Sequence, residues 1–118
     1  MHQILLALCL AGVFGLAGAQ EAELGPTLKR IAREGTIQLG HREAAVPFSY
    51  VLPDKQTPTG FSWELCGRVV NAVKARLGKE VKVAPVVATS TARLMMVKVG
   101  MADIECAATT NTVSRQSQ

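Results

Sequence analysis

A helix followed directly by a strand is predicted by residues 62–87, SWELCGRVVNAVKARLGKEVKVAPVV. Four apolar residues, flanked by Cys66 and Val70, recur at every fourth position: Leu65, Val69, Val73 and Leu77. This spacing places them on one face of an amphipathic helix, and Gly78 is suited to end that helix. The apolar, β-branched run 81–87 is typical of a strand that is buried on both faces of a sheet.

The alternation of helices and strands continues on both sides of this stretch. Upstream, residues 21–35 predict a short helix and residues 36–39 predict a strand. Downstream, a helix capped by Ser90 or Thr91 precedes a strand over residues 102–107, and Thr112 can cap a further helix after that strand. This order predicts an α/β fold, in which a parallel sheet is built from βαβ units with right-handed crossovers.

A polar interval separates the first predicted strand from the amphipathic helix. Residues 40–60 contain three prolines and predict a long polar excursion with a turn at Asp54 and Lys55. His41 lies at the start of this interval, and no nucleophile or carboxylate constellation near it in the sequence supports acid–base chemistry. We therefore interpret His41 as a structural residue.

Ligands of parallel α/β sheets bind in the loops outside the carboxyl ends of the strands. Three predicted loops qualify, over residues 40–50, 88–93 and 107–115, and each holds one arginine: Arg42, Arg93 and Arg115. Two of them also carry hydroxyl groups before a helix: Ser90, Thr91, Thr109, Thr110 and Thr112. Guanidinium groups match carboxylates and helix starts favour anions, so the set predicts a small ligand with more than one carboxylate. The alternative is that the arginines are solvated and the hydroxyls only cap helices.

Composition excludes several classes of protein. The chain has 118 residues, of which 48% are hydrophobic and 19% are charged, with a net charge of +4. That length predicts one small domain, and the low charge content excludes a disordered polar tail. No apolar run reaches the about 20 residues of a membrane-spanning helix. The basic excess contains no block of like charges, which argues against a nucleic-acid partner.

The N-terminus is typical of a secretory signal peptide. Residues 4–14, ILLALCLAGVF, form an apolar stretch, and small residues follow at 17–19, which predicts cleavage after Ala19. The alternative is a buried N-terminal helix. Export places Cys66 and Cys106 in an oxidising compartment, where they pair with each other or with a cysteine outside this sequence. Their spacing does not decide between these pairings.

Five short groups of residues stand at the predicted strand ends and helix starts: GHRE at 40–43 with VPFSY at 46–50, GFS at 60–62, TS at 89–90 followed by Arg93, IEC at 104–106, and TTN at 109–111 followed by RQ at 115–116. Together they resemble the first part of the periplasmic glutamate/aspartate-binding proteins of ABC transporters. The resemblance covers nearly all of the chain from about Leu28 onward.

The resemblance implies a role for each of six positions. Arg115 grips the α-carboxylate of the ligand, and the Thr110 hydroxyl assists that grip. Ala108 stands where the family has a serine, so only its backbone groups can take part. The side-chain carboxylate of the ligand is assigned to the remaining three positions: Arg42, Ser90 and Arg93.

The resemblance also implies a fold. It is the type II periplasmic-binding-protein fold, whose members are longer and two-lobed, so residues 20–118 represent an incomplete first lobe and the second lobe is absent from this sequence. In the glutamate/aspartate group, the cysteine that matches Cys106 pairs with one in the second lobe. Cys66 has no counterpart and is interpreted as a small core residue.

The function implied is the binding of glutamate or aspartate in the periplasm and delivery to permease subunits in the inner membrane, without an enzymatic activity, a metal or another cofactor. One alternative is a periplasmic enzyme on the same scaffold, similar to cyclohexadienyl dehydratase. It requires a general acid or base at the ligand, for which the loops offer Glu43 and His41. Another alternative is the sensor domain of a receptor, which requires a transmembrane segment.

Overall fold

The computed structural model describes residues 23–54 and 56–117, so the predicted signal peptide lies outside the described residues. Helices and strands follow one another in this order: α1 (Pro26–Glu34), β1 (Thr36–His41), β2 (Ala44–Ala45), β3 (Ser49–Val51), β4 (Pro58–Thr59), α2 (Phe61–Leu77), β5 (Lys82–Val87), α3 (Arg93–Lys98) and β6 (Ile104–Glu105), before a single 3-10 turn at Val113–Arg115. Within the described part of the chain, no helix combines the length and the apolar character that a membrane crossing needs.

The main sheet has three parallel strands in the order β5-β1-β6. β1 pairs with β5 along its whole length, from Thr36 opposite Lys82 to His41 opposite Val87. On its other side β1 pairs with the short strand β6, where Gly40 lies opposite Glu105. The predicted α/β architecture with a parallel sheet is therefore confirmed. The carboxyl ends of all three strands lie at the same end of the sheet.

The core lies between this sheet and the helices α1 and α2. It consists of seven buried residues: Ile31, Ile37, Leu39, Cys66, Val70, Val81 and Cys106. The buried face of α2 is not the predicted one, because Leu65 and Val69 are each 45% exposed. A strict four-residue spacing drifts around a helix of 3.6 residues per turn. The face that packs on the core instead follows a mixed spacing of four and three: Cys66, Val70, Val73 and Leu77.

The prediction that residues 81–87 are buried on both faces is wrong. Val83 is 37% and Val87 is 47% exposed, because β5 is an edge strand of the described sheet. Pro85 fits this position, since proline has no N–H group to donate to a further strand.

The polar excursion between β1 and α2 contains regular structure that the sequence did not predict. β2, β3 and β4 form a small antiparallel sheet, in which Tyr50 lies opposite both Ala44 and Thr59. Gly60 joins this sheet to α2 with a φ of 113°, and a Cβ atom there would lie 2.6 Å from the Phe48 carbonyl oxygen. Only glycine fits this close approach.

Candidate functional site

The three arginine-bearing loops leave the sheet at the carboxyl ends of its strands. The Ala88 N–H donates to the His41 carbonyl at 2.8 Å, and the Cys106 N–H donates to the Gly40 carbonyl at 2.7 Å. These bonds continue the parallel pairing one residue past β5 and β6. The loops that carry Arg42, Arg93 and Arg115 therefore begin side by side, as the topology of a parallel sheet predicts.

The first loop is fixed by a buried serine. The Arg42 N–H donates to the Ser49 hydroxyl at 3.0 Å, and Ser49 has no exposed surface. His41 is 6% exposed and meets the Trp63 ring edge-to-face, with ring centroids 5.9 Å apart. These contacts support the structural interpretation of His41. They hold the backbone of Arg42, whose side chain is half-buried at the end of β1.

The start of α3, which follows the second loop, is held by a residue other than the two predicted to cap it. The Thr89 hydroxyl accepts a hydrogen bond from the Ala92 N–H at 3.2 Å, and the Thr89 carbonyl accepts one from the Arg93 N–H at 3.1 Å. Thr89 therefore holds the start of α3, and neither Ser90 nor Thr91 caps it. Ser90 itself is exposed.

Arg93 faces a carboxylate that sequence reasoning missed. Its Nη1 lies 3.7 Å from Oε1 of Glu105, and the two side chains are only 12% and 13% exposed. Among the described residues, neither Arg93 Nε nor Glu105 Oε1 has a hydrogen-bond partner. The available sequence signal was an acid near the carboxyl end of the predicted strand 102–107, where a neighbouring loop supplies an arginine.

The third loop folds back on itself. The Arg115 Nη1 donates to the Thr110 carbonyl at 2.9 Å, which brings these two predicted ligand-binding residues together. Ala108 and Thr110 are exposed, whereas the Thr109 hydroxyl is buried without a hydrogen-bond partner in the described structure.

The prediction that Thr112 caps a helix with its side chain is wrong. The Thr112 hydroxyl lies 3.1 Å from the Ser114 hydroxyl and does not cap the turn, whereas its backbone carbonyl accepts from the N–H groups of Arg115 and Gln116. Two bonds that span three residues, Arg115 N–H to the Thr112 carbonyl and Gln116 N–H to the Val113 carbonyl, make a 3-10 turn where the first turn of an α-helix was expected.

The prediction that Cys106 pairs with a cysteine of a second lobe is wrong, because Cys106 forms a disulfide with Cys66. Cys66 is therefore more than a small core residue. Its Cα atom lies 6.1 Å from that of Cys106, a separation that a disulfide spans, since α2 packs across the end of β6. The Ser62 hydroxyl donates to the Ala107 carbonyl at 2.7 Å beside this bridge. Both contacts fix the start of the third loop to α2.

An open cavity of about 610 Å³ lies on the β6 flank of the sheet. Apolar side chains of α3 line it together with Ile104, Glu105 and Arg115: Leu94, Met95 and Val97. Across residues 23–54 and 56–117, no group of three His, Cys, Asp or Glu side chains could hold a metal ion. The polar side chains of the three loops include guanidinium and hydroxyl groups, and the Glu105 carboxylate of β6 faces Arg93.

The described residues form a parallel α/β sheet with three arginine-bearing loops at the carboxyl ends of its strands. Residues 37–118, more than half of the chain, match the model of the bacterial extracellular solute-binding proteins, family 3. The chain belongs to this family.

Curated relatives agree with the family assignment. The chain is 47% identical over 97 residues to the L-glutamate/L-aspartate-binding protein of Pseudomonas aeruginosa, a match that covers 81% of this chain and 32% of that protein. It is 43% identical over 119 residues to the glutamate/aspartate import solute-binding protein of Escherichia coli, covering 97% of this chain and 38% of that protein. The chain therefore spans about a third of the length of the curated relatives it matches, and the resemblance seen in the sequence is confirmed.

Solved structures confirm the fold. An ancestral amino acid-binding protein, described as a precursor of cyclohexadienyl dehydratase, superposes with a TM-score of 0.67 at 27% identity. The match covers 78% of this chain and 37% of that one. The predicted fold class, part of a type II periplasmic binding protein, is confirmed.

Proposed function

We propose that this chain belongs to the solute-binding component of an ABC transporter and binds acidic amino acids, glutamate or aspartate, for uptake. The observation that carries the proposal is that the loops bearing Arg42, Arg93 and Arg115 leave the same end of the parallel sheet. The Arg93 side chain is only 12% exposed, and its Nε has no hydrogen-bond partner among the described residues. Planar guanidinium groups bind carboxylates, and a dicarboxylate amino acid offers two of them. The printed names of the curated relatives support the same ligand class.

The two ends of the ligand are assigned to different loops. Arg115 and Thr110 receive the α-carboxylate, and the backbone of Ala108 contributes where the family has a serine. The contact between Arg115 and the Thr110 carbonyl supports this grouping. Arg42, Ser90 and Arg93 receive the side-chain carboxylate. The low exposure of Arg93 supports its assignment, because charge-assisted hydrogen bonds gain strength away from water.

The enzyme alternative is not supported by the positions of His41 and Glu43, the two groups that the sequence offers for it. A dehydratase requires a general acid or base that faces the ligand. His41 is buried against Trp63, and Glu43 is exposed. These positions favour a binding function over an enzymatic one, although a structural neighbour is a precursor of a dehydratase.

The ligand assignment is tested by titrating residues 20–118 with glutamate and with glutamine, followed by NMR. Arg93→Ala should weaken glutamate binding more than glutamine binding, because only glutamate has a side-chain carboxylate. Arg115→Ala should weaken both alike. In one lobe open to water each loss should be about fivefold, since such charge pairs are worth about 1 kcal/mol, and dissociation constants should be millimolar. Arg68→Ala, an exposed position on α2, is the control. Equal losses of the two ligands in Arg93→Ala would contradict the side-chain assignment.

We further propose a periplasmic location, with residues 1–19 as the signal peptide, residues 20–118 as part of the N-terminal lobe, and inner-membrane permease subunits as partners. The apolar stretch before Ala19 and the extracellular family support the location. Mass spectrometry of the periplasmic fraction should find an N-terminus at Gln20. A mature protein that begins at Met1 would contradict the cleavage and the leader together.

A further inference from the structure

Arg93 and Glu105 form an ion pair without a hydrogen bond. The distance of 3.7 Å between Arg93 Nη1 and Glu105 Oε1 lies within ion-pair range and beyond the length of an ordinary N–H···O bond. The side chains are 12% and 13% exposed, and Arg93 Nε and Glu105 Oε1 have no hydrogen-bond partner among the described residues. Native structures seldom leave buried polar atoms in this state, so each such atom requires an explanation.

The pair balances charge and leaves hydrogen bonds open. A buried arginine without a nearby anion carries a large desolvation cost, and Glu105 supplies that anion. The Arg93 Nε is buried, and no acceptor among the described residues engages it. The Thr109 hydroxyl, on the loop that follows Glu105, is a further buried group without a partner in the described structure.

We propose that Glu105 is the resident counter-ion of Arg93 in the ligand-free site and that it sets how strongly the site prefers an acidic amino acid over its amide. The inference rests on the proposed function. A ligand carboxylate that pairs with the Arg93 guanidinium comes close to the Glu105 carboxylate, and the two like charges then share one guanidinium. A ligand amide carries no charge and meets no such repulsion. Glu105 therefore stabilises the empty site and moderates its preference for the charged ligand.

The test is the ratio of glutamate affinity to glutamine affinity in residues 20–118, measured by NMR titration with the Arg93 side-chain N–H signal as a local reporter. Glu105→Gln keeps the shape of the side chain and removes its charge. We expect the ratio to rise by about three- to tenfold and the ligand-free protein to unfold at a lower temperature. Glu80→Gln is the matched control, since that side chain is 90% exposed before β5, at the opposite end of the sheet, and should leave the ratio unchanged.

A second variant keeps the inference testable if Glu105→Gln does not fold. Glu105→Asp keeps the charge and withdraws the carboxylate by one methylene, so the ratio should rise in the same direction and by less. An unchanged ratio in both variants, with lower stability, would overturn the inference and leave a purely structural pair. Equal weakening of both ligands would also overturn it, because Glu105 would then contact the ammonium group that glutamate and glutamine share.

The proposed function fails on different outcomes. If the unsubstituted protein binds neither amino acid, or if Arg93→Ala shows no preference between them, the ligand assignment is wrong and the selectivity role falls with it. If Arg93→Ala discriminates between the two ligands and Glu105→Gln does not change their ratio, only the role of Glu105 is wrong.

Discussion

Two arginine–carboxylate pairs flank Ile104 in β6, and they differ in how completely their polar atoms are satisfied. Before Ile104, Asp103 accepts hydrogen bonds from Arg30 with both carboxylate oxygens and a third from the Gln38 N–H at 2.8 Å. Its side chain is only 5% exposed. After Ile104, the Glu105 carboxylate lies 3.7 Å from Arg93 without a hydrogen bond. The two carboxylates lie two residues apart in the chain, yet Asp103 accepts two hydrogen bonds from its arginine and Glu105 accepts none.

The difference indicates which pair is structural. The pair before Ile104 joins α1 to β1 and β6, and the hydrogen bond to Asp103, followed by that to Glu34, raises the pKa of Arg30. A pair of this kind is stabilised because both Asp103 carboxylate oxygens and both Arg30 Nη groups have hydrogen-bond partners. The pair after Ile104 is held in place by covalent and backbone contacts around it, among them the Cys66–Cys106 disulfide. Its unpartnered atoms, Arg93 Nε and Glu105 Oε1, belong to the end of the sheet at which we propose that the ligand binds.

Removal of the disulfide should have the largest effect on this comparison. The bridge closes a loop of 40 residues, so the double substitution Cys66→Ser and Cys106→Ser should lower the free energy of unfolding by about 3–4 kcal/mol. Urea denaturation of the oxidised protein, the reduced protein and the double variant measures the loss. Reduction should reproduce the effect of the substitutions. Equal stability of the oxidised and reduced proteins would show that hydrogen bonds alone hold the site end of β6.

Removal of Asp103 should have the second-largest effect. Asp103→Ala leaves Arg30 and the Gln38 N–H without their acceptor, and we expect a loss of about 2–3 kcal/mol in the free energy of unfolding. The matched control is Asp54→Ala at an exposed turn. Ligand selectivity should be unchanged, because the pair lies before β6 and the loops leave after it. A change in the glutamate-to-glutamine ratio would contradict the division into a structural end and a binding end.

The smallest effect concerns Glu34, which shares Arg30 with Asp103. Hydrogen bonds from Arg30 and then from Arg33 lower the pKa of Glu34 below its ordinary value. A carboxyl group whose pKa is lowered by folding adds stability above its unfolded pKa, and this contribution is lost as the pH falls through the folded pKa. Glu34→Gln should therefore lower the melting temperature slightly at neutral pH and have no effect in strong acid. Thermal unfolding of both proteins between neutral pH and strong acid measures this difference in melting temperature. A difference that grows as the pH falls would contradict the prediction.

The site could be predicted in part because the topology of a parallel sheet is simple. Once the strands are recognised, their carboxyl ends must meet, and the positions of Arg42, Arg93 and Arg115 follow. Glu105 could not be identified as the partner of Arg93, because that contact depends on how α3 packs beside β6. The buried Ser49 behind Arg42 belongs to a small sheet that the sequence pattern did not show.

The sequence by itself determined the α/β alternation, the ends of α1 and α2 at Gly35 and Gly78, and the edge at which the loops gather. These features depend on local periodicity and backbone preference, which are properties of neighbouring residues. Only the tertiary structure decided the Cys66–Cys106 bridge, the exposed position of β5 and the facing of Arg93 and Glu105. Each of these is a contact between residues far apart in the chain, and packing selects such contacts from several that the sequence pattern allows equally.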